Sequence, residues 1–141
     1  MRKEDFNALP NFSYNEVYNH YISKGFSPAA ADKEIRLTKK GLFVKLQRFR
    51  TAIGRPIYFN CLNEGKHSKS SQHYEKNAAD IRIGGKGAIR WNTMCEIAID
   101  CGFKGVGYYP FWNKPGLHLD DRKTGFQMWV RDKAGKYIGF I

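Results

Sequence analysis

Gly54-Arg55-Pro56 divides this chain into two regimes of apolar spacing. Before it, Leu42, Leu46, Phe49 and Ile53 recur at helical intervals, with Lys45, Arg48 and Arg50 on the opposite face. Glycine followed closely by proline is a helix stop, because proline can neither donate a backbone hydrogen bond nor continue the turn. After it, apolar residues come in short runs bounded by turn residues, which reads as strands over 57–60, 78–83, 103–109, 117–121, 126–131 and 136–141. Asp132-Lys133-Ala134-Gly135 predicts a hairpin between the last two. One helix, 88–100, interrupts the strands and ends at Gly102. Upstream, Ser13 caps a helix over 14–23, with Glu16 completing a capping box. Ser27-Pro28 opens a second helix to 37, and Thr38 is placed to cap the third. Helices first and strands afterwards predicts an α+β fold, N-terminal helices packed on a mainly antiparallel sheet. With no repeat or linker, residues 1–141 read as a single domain, in which 1–40 is a helical N-terminal extension. It is expected to act as a monomer.

Charge narrows the partners. Twenty-four basic against 13 acidic residues leave a net charge of +11, which favours anionic partners such as nucleic acid, anionic lipid or cell wall. The basic residues are dispersed, and no base-reading motif accompanies them, so nucleic acid is the lowest-ranked partner. No apolar run reaches the ~20 residues that span a bilayer. The first residues, Met1-Arg2-Lys3-Glu4-Asp5-Phe6, lack the apolar stretch of a secretory signal, so synthesis in a cytoplasm is expected. A wall target would then require another exit route, such as host lysis. Cys61, Cys95 and Cys101 contain no C-x-x-C pair and read as free thiols, none in a context that makes a nucleophile.

Three residues carry the chemistry: His73, Asp80 and His118. His73 lies in the loop before the strand that holds Asp80, and His118 lies on a later strand. Two imidazoles and a carboxylate make a three-ligand zinc set whose fourth position is open to water, the form taken by catalytic rather than structural zinc. Asp120 shares a strand face with His118 and has two possible roles, base for the zinc water or orienter of the histidine. Asp121 points to the other face, and Glu75 reads as an exposed loop carboxylate. His67, in the loop ahead of His73, reads as either a substrate contact or a surface histidine. Gly84-Gly85-Lys86-Gly87 lacks Walker spacing and reads as a turn.

The order of Ser71-x-His73, Ala78-x-Asp80, Gly105-Val106-Gly107-Tyr108-Tyr109-Pro110 and His118-x-Asp120, with Trp129-Val130 behind, resembles the D-Ala-D-Ala carboxypeptidase-like zinc peptidases (family M15), found in phage lysins and bacterial wall enzymes. The resemblance runs from about residue 42 to 130 and includes Arg55-Pro56-Ile57-Tyr58-Phe59. It implies a Hedgehog/DD-peptidase fold, a Zn2+ ion on His73, Asp80 and His118, and hydrolysis of a peptide bond in the peptidoglycan stem or cross-bridge, as carboxypeptidase or endopeptidase. Asp120 is then the expected catalytic carboxylate. Ser71, His67, Arg82, Arg122 and Tyr109 are the expected substrate contacts.

The chain also departs from the family. Lys76 stands where the family has glycine, Cys61-Leu62-Asn63-Glu64 replaces a Ser-Gly-Tyr-Arg phrase, and Pro115 takes the place of a catalytic acid. Arg82 and Arg122 are the candidate substitutes for the missing arginine. Because the Hedgehog signalling domain keeps zinc on this fold while serving as a ligand, the alternative is a catalytically degenerate, zinc-containing binding domain.

Overall fold

The third helix organises the interior of the computed structural model, which describes residues 1–140. On α3 (Lys40–Ile53), Leu42, Phe43, Leu46 and Phe49 are completely buried. Phe43 is the hub of an aromatic cluster, its ring centroid 5.6 Å from Phe6 and Phe12 and 5.8 Å from Phe59. Such tilted and edge-on pairs add to the stabilisation given by buried area. Phe6 lies in a 3-10 turn (Lys3–Ala8), Phe12 precedes α1 (Tyr14–Ser23), and Phe59 lies on β1 (Ile57–Cys61). The first 40 residues therefore share one apolar core with the sheet.

Ser13 and Ser27 cap α1 and α2 (Pro28–Leu37) as their spacing predicts. Thr38 does not cap α3; its hydroxyl donates to the Glu34 carbonyl and closes α2, and Lys39 precedes α3. Lys45, expected on the outer face of α3, pairs with Asp121.

The remaining strands are β2 (Ala78–Ile83), β3 (Gly105–Tyr109), β4 (Gly116–Asp120), β5 (Gln127–Arg131) and β6 (Tyr137–Phe140). They form one six-stranded sheet in the order β1-β2-β4-β3-β5-β6. Only β3 and β5 pair in parallel, so the sheet is mixed and mainly antiparallel. α4 (Trp91–Asp100) carries the chain from β2 to β3, and β4 returns between them. It starts three residues later than the spacing predicts, because Gly85 and Gly87 take positive φ and Arg90 is extended. The sixth expected strand reached to residue 141, which lies outside the described residues. Among the described residues no helix is long and apolar enough to cross a membrane.

Register matters more than strand count here. Asp80 pairs with His118, His118 with Gly107, and Gly107 with Trp129, while Cys61 lies opposite Asp80 beyond an irregularity in β1. One transverse row of the sheet therefore reads Cys61, Asp80, His118, Gly107, Trp129. Residues paired across strands share a face, so this row gathers polar groups from four segments onto one surface.

Lys76 is the only described non-glycine residue with positive φ, at 59°. Its carbonyl accepts from the Lys39 amide at 3.0 Å, and its ammonium pairs with Glu34 at 3.1 Å. A β-branched side chain fits this region worst. Lys76→Val should cost about 1–3 kcal/mol in urea denaturation. Lys76→Gly should stay within about 1 kcal/mol of the parent, because released strain offsets the lost ion pair and the freer unfolded chain.

Candidate metal centre

The loop between β1 and β2 delivers His73 through a series of tight turns. The amides of Tyr74, Glu75 and Lys76 donate to the carbonyls of Ser71, Gln72 and His73 at 3.1–3.2 Å. Ser71 also accepts from the His73 amide through its hydroxyl at 3.2 Å. The turns bring His73 over the row that already contains Asp80 and His118. Asp80 Oδ1 then lies 3.1 Å from His73 Nε2 and 2.9 Å from His118 Nδ1. All three groups are buried, and one ligand atom from each lies within 4.8 Å of the others.

The outer nitrogens show what the inner ones can do. His73 Nδ1 faces the Leu62 carbonyl, which can only accept, so Nδ1 carries the proton. His118 Nε2 faces Asp120 Oδ2 at 2.7 Å and donates to it. In neutral rings both inner nitrogens therefore direct lone pairs at the Asp80 carboxylate. Acceptors this close require a proton or a cation between them. Tetrahedral zinc with bonds of ~2.0–2.2 Å holds neighbouring ligand atoms roughly 3.3–3.6 Å apart, so the donor set fits zinc after an outward shift of a few tenths of an ångström. Carbonyl and carboxylate partners on the outer nitrogens are the usual supports of metal-bound histidine.

The same contacts set the charges of the metal-free site. Burial alone would push His118 down, but its hydrogen bonds to Asp120 and Asp80 overcome this and raise it to about 9. Burial opposes ionisation of Asp80, yet His118 and His73 hold it well below the usual carboxylate range. Asp120 is likewise lowered against the effect of burial, by Arg122 and then His118.

Asp120, expected as the catalytic carboxylate, has no exposed surface. Its Oδ2 accepts from His118 and from Arg122 Nη2 at 2.6 Å, and its Oδ1 from Arg122 Nε at 2.9 Å. Of its two possible roles, this geometry fits orientation of His118; a base must reach the water that it activates. Arg122, expected as a substrate anchor, is committed to Asp120, and its Nη1 donates to Gln127 at 2.6 Å. It is a positioning residue rather than a free anchor.

A cavity of about 740 Å³ opens over the ligand set, and Ser71, His67, Tyr109 and Arg122 all line it. Tyr109 accepts from Trp129 Nε1 at 2.8 Å and is covered by Trp112. Arg82 lies elsewhere: it lines a neighbouring cavity of about 620 Å³ beyond Asp80, donating to Asn60 and resting on the Tyr58 ring. His67 stacks on His73 with centroids 4.1 Å apart. Its Nε2 lies 3.5 Å from Cys61 Sγ, so this thiol has the histidine neighbour that its sequence context does not suggest. Burial pushes the Cys61 thiol up and the His67 imidazole down.

Two glycines make the site possible. A Cβ on Gly105 would stand 2.3 Å from the Asp120 carboxylate, and one on Gly107 would stand 2.5 Å from the Trp129 ring. Their absence lets Asp120 reach under His118 and lets Trp129 pack on it, centroids 5.3 Å apart. Glycines two residues apart on a strand line one face, which is the sequence signal for this clearance. Trp129 itself carried no signal of a role beyond its place in the motif order.

Comparison of the chain with models of known protein families, with curated proteins and with solved structures finds no match.

Two outcomes follow for metal and proton binding. Asp120→Ala and Gly105→Ala should each retain the three ligands yet weaken zinc affinity roughly 10–100-fold, read by competition with a chromophoric chelator. Without metal, His118 stabilises the fold fully below its unfolded value of ~6.5 and loses that contribution as pH rises through about 9. Asp80 and Asp120, held low, contribute above ~4 and lose it as pH falls. Thermal melts in chelator should therefore decline from pH ~6.5 toward 9, whereas melts in zinc should separate further from them across that interval, because zinc needs neutral His118.

Proposed function

We propose that the chain is a zinc-dependent peptidoglycan peptidase of Hedgehog/DD-peptidase-like fold, cutting a peptide bond in the wall stem peptide or cross-bridge. The observation that carries this reading is the convergence of His73, Asp80 and His118, each histidine with its outer nitrogen already held and its inner nitrogen turned to a shared centre. Zinc bound there supplies a water acidic enough to attack near neutral pH and polarises the substrate carbonyl.

The surroundings suit a peptide. Both cavities are lined by Asp80 and Trp112, so substrate can extend to either side of the ligand set. That favours cleavage within a peptide over removal of its last residue. Tyr109, Trp112, Trp129 and Tyr137 offer flat apolar walls, and Lys66 and Arg131 place positive charge beside them. The net charge of +11 would hold the protein on an anionic wall without a separate binding module.

One observation favours a second reading, a zinc-containing binding domain of the same fold. Among the described residues, Asp80 is the only carboxylate that lines the larger cavity. A base for the water is therefore not supplied by a neighbouring Asp or Glu.

The deciding experiment is mass spectrometry of peptidoglycan fragments after incubation with zinc-loaded protein. Release of stem-peptide or cross-bridge fragments is expected. It should cease in His73→Ala and His118→Ala, and His73→Ala should also lose stoichiometric zinc by elemental analysis. Zinc-loaded protein that leaves several wall types intact would sink the peptidase and support the binding domain.

A further inference from the structure

We propose a second, thiolate-containing metal site formed by Cys61, His67 and His73, which takes soft or borderline cations and competes with the first site for His73. One ligand atom from each of these residues lies within 4.8 Å of the other two. Three segments bring them together. Cys61 ends β1 opposite Asp80, His67 lies in the following loop, and His73 lies in the turns beyond it. The two imidazoles are stacked 16° from parallel. Cys61 Sγ and His67 Nε2 both donate to the Glu64 carbonyl, at 3.1 and 2.7 Å, and lie 3.5 Å from each other. A thiol and an imidazole nitrogen are thus already held within a few tenths of an ångström of the separation that a shared ion imposes.

The donor types select the ion. One sulfur and two nitrogens suit Cd2+, Cu+ and Zn2+, whereas the carboxylate-containing first set is the harder of the two. Coordination releases the Sγ proton to solvent and moves the His67 proton from Nε2 to Nδ1, so each donor presents a lone pair. His73 belongs to both sets. An ion in the thiolate set therefore withdraws one ligand from Asp80 and His118, and the two sites cannot both be complete. This second set does not depend on hydrolysis at the first.

Cadmium titration of the zinc-free protein tests it, followed by the ultraviolet thiolate-to-metal charge-transfer band. The band should saturate at one equivalent in the parent protein and in His118→Ala. It should vanish in Cys61→Ser, which keeps Cys95 and Cys101 as internal controls and should bind zinc normally through the first set. His67→Ala should retain the thiol but bind cadmium at least tenfold more weakly. A parent protein without the band, a band undiminished in Cys61→Ser, or a band lost in His118→Ala would each overturn the proposal. Zinc-loaded, cadmium-free Cys61→Ser separates the two readings. If it and the parent are both inactive on peptidoglycan while the parent shows the band, the peptidase reading falls and this site stands.

Discussion

The site depends on one continuous polar chain. Arg122 donates to Asp120, Asp120 holds His118, Asp80 lies between His118 and His73, and His73 ends on the Leu62 carbonyl. Each member is buried or nearly so, where an unpaired charge would cost several kcal/mol. No link can be removed without stranding the next. Strand register supplies the lateral spacing, Gly105 supplies the space for Asp120, and the turns after Ser71 supply the height of His73. The sheet thus fixes Asp80 and His118 on rigid neighbours, and the loop brings His73 to them.

Much of the fold was legible because its signals are local. Serine caps, the Gly54 stop and the Leu42-Leu46-Phe49 stripe act within a few residues, and the elements they predict are present. The starts of α3 and α4 were not, since a threonine can close one helix as readily as open another. The convergence of His73, Asp80 and His118 was legible as a spacing on a loop and two strands. The role of Asp120 was not: period-two alternation puts it on the correct face but cannot say which nitrogen of His118 it meets. Arg122 illustrates the same limit. Its distance along the chain from His118 fits a substrate anchor, but the carboxylate two residues before it takes its guanidinium. Cys61 and His67 meet only through the fold of the loop, and no periodicity reports such a contact.

The departures from the zinc-peptidase pattern now have physical content. Lys76, where the resemblance expects glycine, sits at a positive-φ position that favours glycine, and compensates through Glu34 and the Lys39 amide. The stretch Cys61-Leu62-Asn63-Glu64, where the sequence resemblance expects an arginine, works as a brace. Leu62 holds His73, the Asn63 side chain donates to Thr38 and Glu34 and its backbone amide to the Tyr21 hydroxyl, and Glu64 binds His20 at 2.6 Å. These bonds tie the ligand loop to α1 and α2. The N-terminal helices are therefore part of what positions the candidate metal centre, although none of them contributes a side chain to the His73, Asp80 and His118 set.

The charge balance of the centre completes the picture of what it can attract. Two neutral imidazoles and Asp80 would leave a divalent ion held there with a net charge of +1, and the Arg122–Asp120 pair beneath would add nothing to it. Lys66 and Arg131 stand on the wall of the same cavity, and Lys24, Arg82 and Lys114 on the other. Cations on both cavity walls favour the approach of anionic groups. Orientation by Asp120 increases the basicity of His118 as a ligand, while Arg122 prevents Asp120 from taking its proton outright. The buried carboxylate thus stands behind the histidine, where it holds the ring, rather than in front of the candidate metal position.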